Sequence, residues 1–222
     1  MGRPRYDGVA DWYDANLSGE SPLAAMPRET ALRLLGPLAG RLLDVGCGGG
    51  SHTAAFGAEG WGVVGIDISE SQLELARERG CEVVQGRAES LPFEDASFDA
   101  VVSMWTHTDV DDWPSALREM RRVLQPGGPL VYVGVHPCFV GPHSLFLEGK
   151  GVPELHAGWY RQAGRYEQAP GISPTGLRAR VGATHLPLAE FLQCFLDAGF
   201  RLEHVEEPGT RDYPTAIGLR CR

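Results

Sequence analysis

Strand-length apolar runs punctuate the chain, and stretches with helical spacing separate them. Runs at Arg41 to Val45, Gly62 to Ile66, Glu82 to Gln85, Phe98 to Ser103 and Leu130 to Val135 predict five strands. Between them the pattern predicts helices from about His52 to Glu59, over 70–79 and from about Trp113 to Leu124. Ser69 is suited to cap the second of these and Gly80 to end it, while Pro114 suits the first turn of the third. Two further helices are expected ahead of the first strand, over 9–19 and 28–36, the latter stopped by Gly36-Pro37. From 137 to 184 the alternation fails: Gly and Pro are frequent, and the aromatics show little periodicity. A segment this long without structure is unusual inside a domain unless it covers a site. A helix over 187–198 and strands at Phe200 to Glu206 and Ala216 to Cys221 close the pattern. Strands alternating with crossover helices predict an α/β fold with a doubly wound parallel sheet covered on both faces. The expected layout is a single domain: an arm at 1–27, a ligand-binding core at 28–136, a cover insertion at 137–184, and the last helix and two strands at 185–222.

The sharpest local signal lies at residues 42–50, Leu-Leu-Asp-Val-Gly-Cys-Gly-Gly-Gly, followed by Val63-Val64-Gly65-Ile66-Asp67. Glycines let a turn approach a ligand closely, and an acid at the end of the next strand can accept from both hydroxyls of a ribose. The dinucleotide fingerprint G-x-G-x-x-G needs a third glycine where this chain has Ser51, and Asp44 in the strand end has no task in hydride transfer. A P-loop needs a lysine after its glycines, and Lys150 is the only lysine in the chain.

In these residues the chain resembles the class I S-adenosylmethionine-dependent methyltransferases, most closely the small-molecule enzymes similar to the ubiquinone/menaquinone methyltransferases. Leu43 to Gly50 is similar to the first motif and Gly65 to Ser69 to the second. Gly86 to Phe93, Phe98 to Val102 and Arg122 to Gly128 are similar to the third, fourth and fifth. The resemblance implies a Rossmann-like seven-stranded sheet, mostly parallel, with an antiparallel C-terminal strand. It implies S-adenosyl-L-methionine as cofactor, with the backbone of Gly46, Cys47, Gly48 and Gly50 at its methionine end and Asp44 orienting that loop or meeting the ammonium. Asp67 takes the ribose, Ile68 lies against adenine, Ala88 and Glu89 meet the adenine edge, and Met104 lines the sulfonium side. Tyr13 belongs to an arm that often closes over the cofactor in such proteins. One departure stands out: Arg87 occupies a place where relatives commonly have Asp, and arginine cannot accept from the adenine amino group.

Methyl transfer is a displacement that mainly needs alignment, but a hydroxyl acceptor usually needs a base. His107, after the fourth strand, and His136, ending the fifth, fall at the carboxyl edge of the sheet and are the expected catalytic bases. His143, His156 and His185 belong to or border the cover and rank below them. That placement favours O-methylation over N- or C-methylation. Trp105, Phe139, Trp159 and Tyr160 are candidates for an apolar or aromatic acceptor pocket. Asp109, Asp111 and Asp112 read as dipole partners and caps at a helix start, and no metal site is expected.

The formal net charge of −9 and pI near 5.2 speak against a nucleic-acid partner, and Arg118, Arg121 and Arg122 read as a solvated helix face. Five cysteines without a C-x-x-C pair read as reduced thiols. No apolar leader follows Met1 and no run is long enough to span a membrane, so the expected location is the cytoplasm. The expected partner is a small, apolar or aromatic metabolite. The arm can close the site in cis or pack on a second copy. The competing readings are an RNA or protein methyltransferase, a non-catalytic S-adenosylmethionine-binding protein, and an NAD-dependent oxidoreductase.

Overall fold

A computed structural model describes residues 4–17, 22–37, 40–146 and 152–222; Lys150 lies outside them. Helices α1 (Ala10–Leu17) and α2 (Pro22–Leu35) precede the sheet. Helix α2 begins earlier than its apolar pattern suggests and continues through Pro27. The central elements follow as β1 (Arg41–Val45), α3 (Ser51–Ala58), β2 (Gly62–Asp67), α4 (Glu70–Glu78), β3 (Glu82–Gln85), β4 (Ala100–Met104), α5 (Trp113–Val123) and β5 (Leu130–Val135). The cover holds β6 (Ser144–Phe146), β7 (Pro153–Leu155), β8 (Gly164–Tyr166), α6 (Leu177–Val181) and β9 (Ala183–His185). Helix α7 (Leu188–Asp197), β10 (Leu202–Glu206) and β11 (Ala216–Cys221) complete the chain.

The main sheet runs β10-β11-β5-β4-β1-β2-β3. Strands β1 to β5 pair in parallel, and β11 runs antiparallel to both β5 and β10. This is the seven-stranded, mostly parallel sheet expected above. Both faces of the central strands β1, β4 and β5 are buried, so successive residues there feed opposite cores. Val101, Leu130 and Tyr132 pack with Trp113, Leu117, Phe191 and Phe195 from α5 and α7. Ala100, Val102, Val131 and Val133 pack with Ala31, Leu35 and Phe56 from α2 and α3. Helix α4 starts as expected, with Ser69 Oγ accepting from the Gln72 N–H, and the Asp112 carboxylate caps α5.

The cover is more ordered than its sequence suggests. It forms two antiparallel hairpins, β6 with β7 and β8 with β9, plus the short helix α6. Strands of three residues are too short to print an alternating pattern on the sequence.

Candidate functional site

The carboxyl ends of β1, β2 and β4 meet where ligands bind in open α/β sheets. The first turn after β1 is pinned to β2: the N–H groups of Gly46 and Cys47 both donate to the Ile66 carbonyl, at 2.8 and 3.1 Å. Gly46 has φ of 77°, and a Cβ there would lie 2.8 Å from the Thr106 side chain. Gly50, at φ of 78°, leaves room for Ala76, which a Cβ would approach to 2.8 Å. Both positions therefore exclude a side chain on two counts, backbone conformation and space. Asp67 accepts from the Gly48 N–H through Oδ2 and from the Ser69 N–H through Oδ1, each at 2.9 Å. Burial raises its pKa, and the two amides work the other way. They fix the carboxylate while each oxygen keeps further acceptor capacity.

These residues open onto a cavity of about 560 Å³. Tyr13, Gly46, Gly48 and Asp67 line it, as do Ile68, Ala88, Glu89 and Met104. Ile68 is 40% exposed, an apolar side chain left uncovered beside the Asp67 carboxylate. Asp44 and Cys47 face a smaller adjoining chamber of about 50 Å³, whose wall shares Tyr13, Gly46, Gly48, Met104 and Trp105 with the large one. Gly50 lines neither chamber; its contribution is the packing of the loop against α4. Arg87 also lines the large cavity, where its guanidinium donates to Glu89 at 3.0 Å.

The structure does not bring the two expected bases to this cavity. His107 is buried with its ring against Trp113, Tyr132 and Phe191, and its Nδ1 is hydrogen-bonded to the Tyr132 hydroxyl. Burial pushes its pKa down to about 3. His136 is buried too: its Nδ1 accepts from the Cys138 N–H at 3.2 Å and its Nε2 faces Glu207 at 2.8 Å. Of the four aromatics expected at an acceptor pocket, Trp105 alone lines the cavity. Phe139 packs on His136 and Tyr213, and Tyr160 packs with His143 and His185 inside the cover. Trp159 is partly buried elsewhere. Among the described residues, no histidine lines the large cavity.

Residues that the sequence did not single out for the site also shape it. Gln72, in the first turn of α4, is 2% exposed, lines the cavity, and has no partner for either amide atom among the described residues. Its Oε1 lies beside the glycine loop, 3.2 Å from where a Cβ on Gly49 would stand. Across the cavity, Arg178 of α6 donates to Asp109 Oδ1 at 2.7 Å and to Thr108 Oγ1 at 2.9 Å. The Tyr6 hydroxyl donates to Asp109 Oδ2 at 3.2 Å, and Arg5 donates to the Asp109 carbonyl at 3.0 Å. Arm, post-β4 loop and cover thus meet at one carboxylate. Trp105 takes a φ of 59°, unusual for a bulky residue, directly after β4 in the wall of both chambers.

Asp44 is expected to give this region a pH response. It is 1% exposed and accepts from Thr53 Oγ1 at 2.7 Å; burial pushes its pKa up to about 7, against the hydrogen bond from Thr53. A folded-state value above the usual carboxylate range favours the protonated form. Its stabilising contribution is therefore complete below about pH 4 and lost as pH rises through about 7. Thermal melts of ligand-free protein across pH 4 to 8 are expected to show this decline, and the decline should be smaller in Asp44→Asn. An identical slope in the variant would remove Asp44 as its source.

Comparison with known proteins agrees with this geometry. Residues 43–132 match a family model described as a methyltransferase domain. A demethylmenaquinone methyltransferase of Tropheryma whipplei is 38% identical over 155 residues, covering 65% of this chain and 64% of that protein. A malonyl-acyl-carrier-protein O-methyltransferase of Erwinia pyrifoliae is 38% identical over 127 residues, covering 56% of this chain and 44% of that protein. The chain thus spans less than two thirds of the length of these curated relatives. Among solved structures, an S-adenosylmethionine-dependent methyltransferase from Mesorhizobium loti aligns with a TM-score of 0.72 at 23% identity, over 86% of this chain and 94% of that one. The cyclase SpnF aligns with a TM-score of 0.70 at 20% identity, over 100% and 97% of the two chains. At these identities the structural likeness concerns the fold alone.

Proposed function

We propose that the protein is a class I S-adenosylmethionine-dependent methyltransferase that methylates a small-molecule metabolite, a reading supported by the methyltransferase-domain match over residues 43–132 and by the 38% identical relative. The observation that carries the reading is the large cavity itself: an oriented ribose acid, an exposed apolar side chain beside it and an orphaned buried amide share one wall. These features fit S-adenosylmethionine. Asp67 suits the ribose diol, Ile68 and Ala88 the adenine, and the unpartnered Gln72 amide can both donate and accept. In the adjoining chamber, Asp44 and the unpartnered His52 Nδ1 suit the charged amino-acid end. When bound, this cofactor supplies an electrophilic methyl on a sulfonium with a good leaving group.

The chain's own residues would then do three things: hold the cofactor, exclude water and position the acceptor. The remaining wall, with Met26, Trp105, Val110 and Leu177, suits an apolar or aromatic acceptor. Arm and cover both reach that wall, which gives them the task of substrate choice. With His107 and His136 turned elsewhere, O-methylation loses the general base that favoured it. It remains our first reading for an oxygen that binds already ionised; N- and C-methylation need no base from the wall at all. The acceptors in the relatives' names, demethylmenaquinone and malonyl-acyl-carrier protein, differ from each other and do not select one.

The described residues include no helix long and apolar enough to cross a membrane, and the five cysteines are free thiols. The cytoplasm is the location we propose, from the reading of the cysteines as reduced thiols. Calorimetric titration with S-adenosylmethionine and, separately, NADH tests the cofactor. Binding of the first alone is expected, and binding of NADH alone would replace this reading with the oxidoreductase one. Incubating the protein with labelled-methyl cofactor and cell extract tests the acceptor. Label in small molecules is expected; label in RNA or protein, or none, would favour the macromolecular or non-catalytic reading.

A further inference from the structure

Arg178 is an expensive residue to hold in a cavity wall. An ion pair removed from water usually gains no stability over an apolar pair of similar volume. Its guanidinium carries five N–H donors in a rigid fork. Asp109, Thr108 and, at 3.4 Å, the Gly182 carbonyl use three of them. The Nε–H and the second Nη2–H have no partner among the described residues. A quarter of the side-chain surface stays accessible, and the residue lines the cavity. The guanidinium is therefore held by three of its donors, with two left over in a side chain that lines the cavity. The sheet order places β1 between β2 and β4, so the glycine loop separates Asp67 from the Thr108–Asp109 loop that holds Arg178. Around the fork the charges are matched: Arg5 faces Asp111, Arg87 faces Glu89, and Arg178 faces Asp109. An entering anion would meet no unpaired carboxylate at this end.

We propose that Arg178 is the acceptor anchor, and that the acceptor is a small apolar or aromatic molecule bearing an oxyanion, a carboxylate or an ionised phenol or enol, which the free edge of the guanidinium receives. The proposal rests on the methyltransferase reading and narrows its substrate class. It also accounts for a cavity without histidine: an oxygen held as an anion needs no general base in the wall. Asp109 and Thr108 are positioning residues, since they touch the fork and leave its open edge to the ligand.

The test uses 2-naphthoate and its neutral isostere 2-naphthamide, titrated calorimetrically into the full chain with and without saturating S-adenosylhomocysteine. Wild-type protein is expected to prefer naphthoate by at least ~10-fold, the ratio set by one charge-assisted hydrogen bond. Arg178→Gln is expected to lose that preference while binding S-adenosylhomocysteine as wild type does. Because Arg178→Gln leaves Asp109 without its cation and can fail to fold, the neutral pair Asp109→Asn/Arg178→Met is measured beside it, with the same expected loss. Equal affinity for the two probes in wild type, failure of naphthoate to bind, or a preference surviving in a folded variant overturns the proposal. The two readings fail separately. No binding of S-adenosylhomocysteine by folded wild type ends the methyltransferase reading, whereas an Arg178-dependent naphthoate preference would still establish the anion site.

Discussion

Asp67→Ala is expected to weaken S-adenosylmethionine binding by ~100-fold or more. On the proposed reading the carboxylate accepts from a ribose diol, and two hydrogen bonds to a charged acceptor are together worth about 3 kcal/mol or more. The loss is compounded because the same carboxylate holds the Gly48 and Ser69 amides. Without it the glycine loop loses a tie to the end of β2, so the backbone that should meet the cofactor is no longer preorganised. Calorimetry on the variant, with circular dichroism to establish that it is folded, measures the effect. A dissociation constant within ~3-fold of wild type in folded protein would mean that the ligand does not use Asp67.

Asp109→Ala is expected to destabilise the ligand-free protein by about 3 kcal/mol, because it leaves the Arg178 guanidinium in the wall without its counter-charge. Side-chain exposures of 25% for Arg178 and 20% for Asp109 keep the expectation at the low end for a broken buried pair. For a domain of this size the melting temperature should fall by roughly 6–12 °C. The Tyr6 hydroxyl loses its acceptor in the same step. Removing Arg178 as well should recover part of the loss, so that the double variant costs less than the sum of the singles. Strictly additive melting shifts would show that the two side chains do not depend on each other.

The framework was legible because its signals are local. Strands β1, β3, β5 and β11 begin and end where the apolar runs do, and Gly46, Gly48 and Asp67 stand together because strand, turn and strand are consecutive in the chain. Gln72 was invisible for a different reason. In sequence it is one polar residue in an amphipathic helix, and only the glycine loop folding over α4 buries it. Asp109 and Arg178 lie 69 residues apart and join through a cover whose three-residue strands leave no periodic trace. The histidines mark the boundary of what position can tell. His107 does follow β4, near the edge where ligands bind, yet its ring turns into the aromatic core beside Tyr132. Its place in the chain was readable, and the direction of its side chain was not.

The arm is fastened differently from everything beneath it. Arg5 to Asp111 and Asp14 to Arg79 are exposed ion pairs, beside the part-buried Asp7 to Ser69 bond and the burial of Ala10, whereas α2 and the sheet are held by buried hydrocarbon. Exposed ion pairs are each worth about 0–1 kcal/mol and weaken as ionic strength rises, while apolar packing does not. Salt therefore acts on this molecule as a selective solvent: it weakens the ion pairs that tie residues 4–17 to the rest of the chain and leaves the sheet's own cohesion intact. Amide exchange in the arm should follow salt concentration, and exchange in β1, β4 and β5 should ignore it.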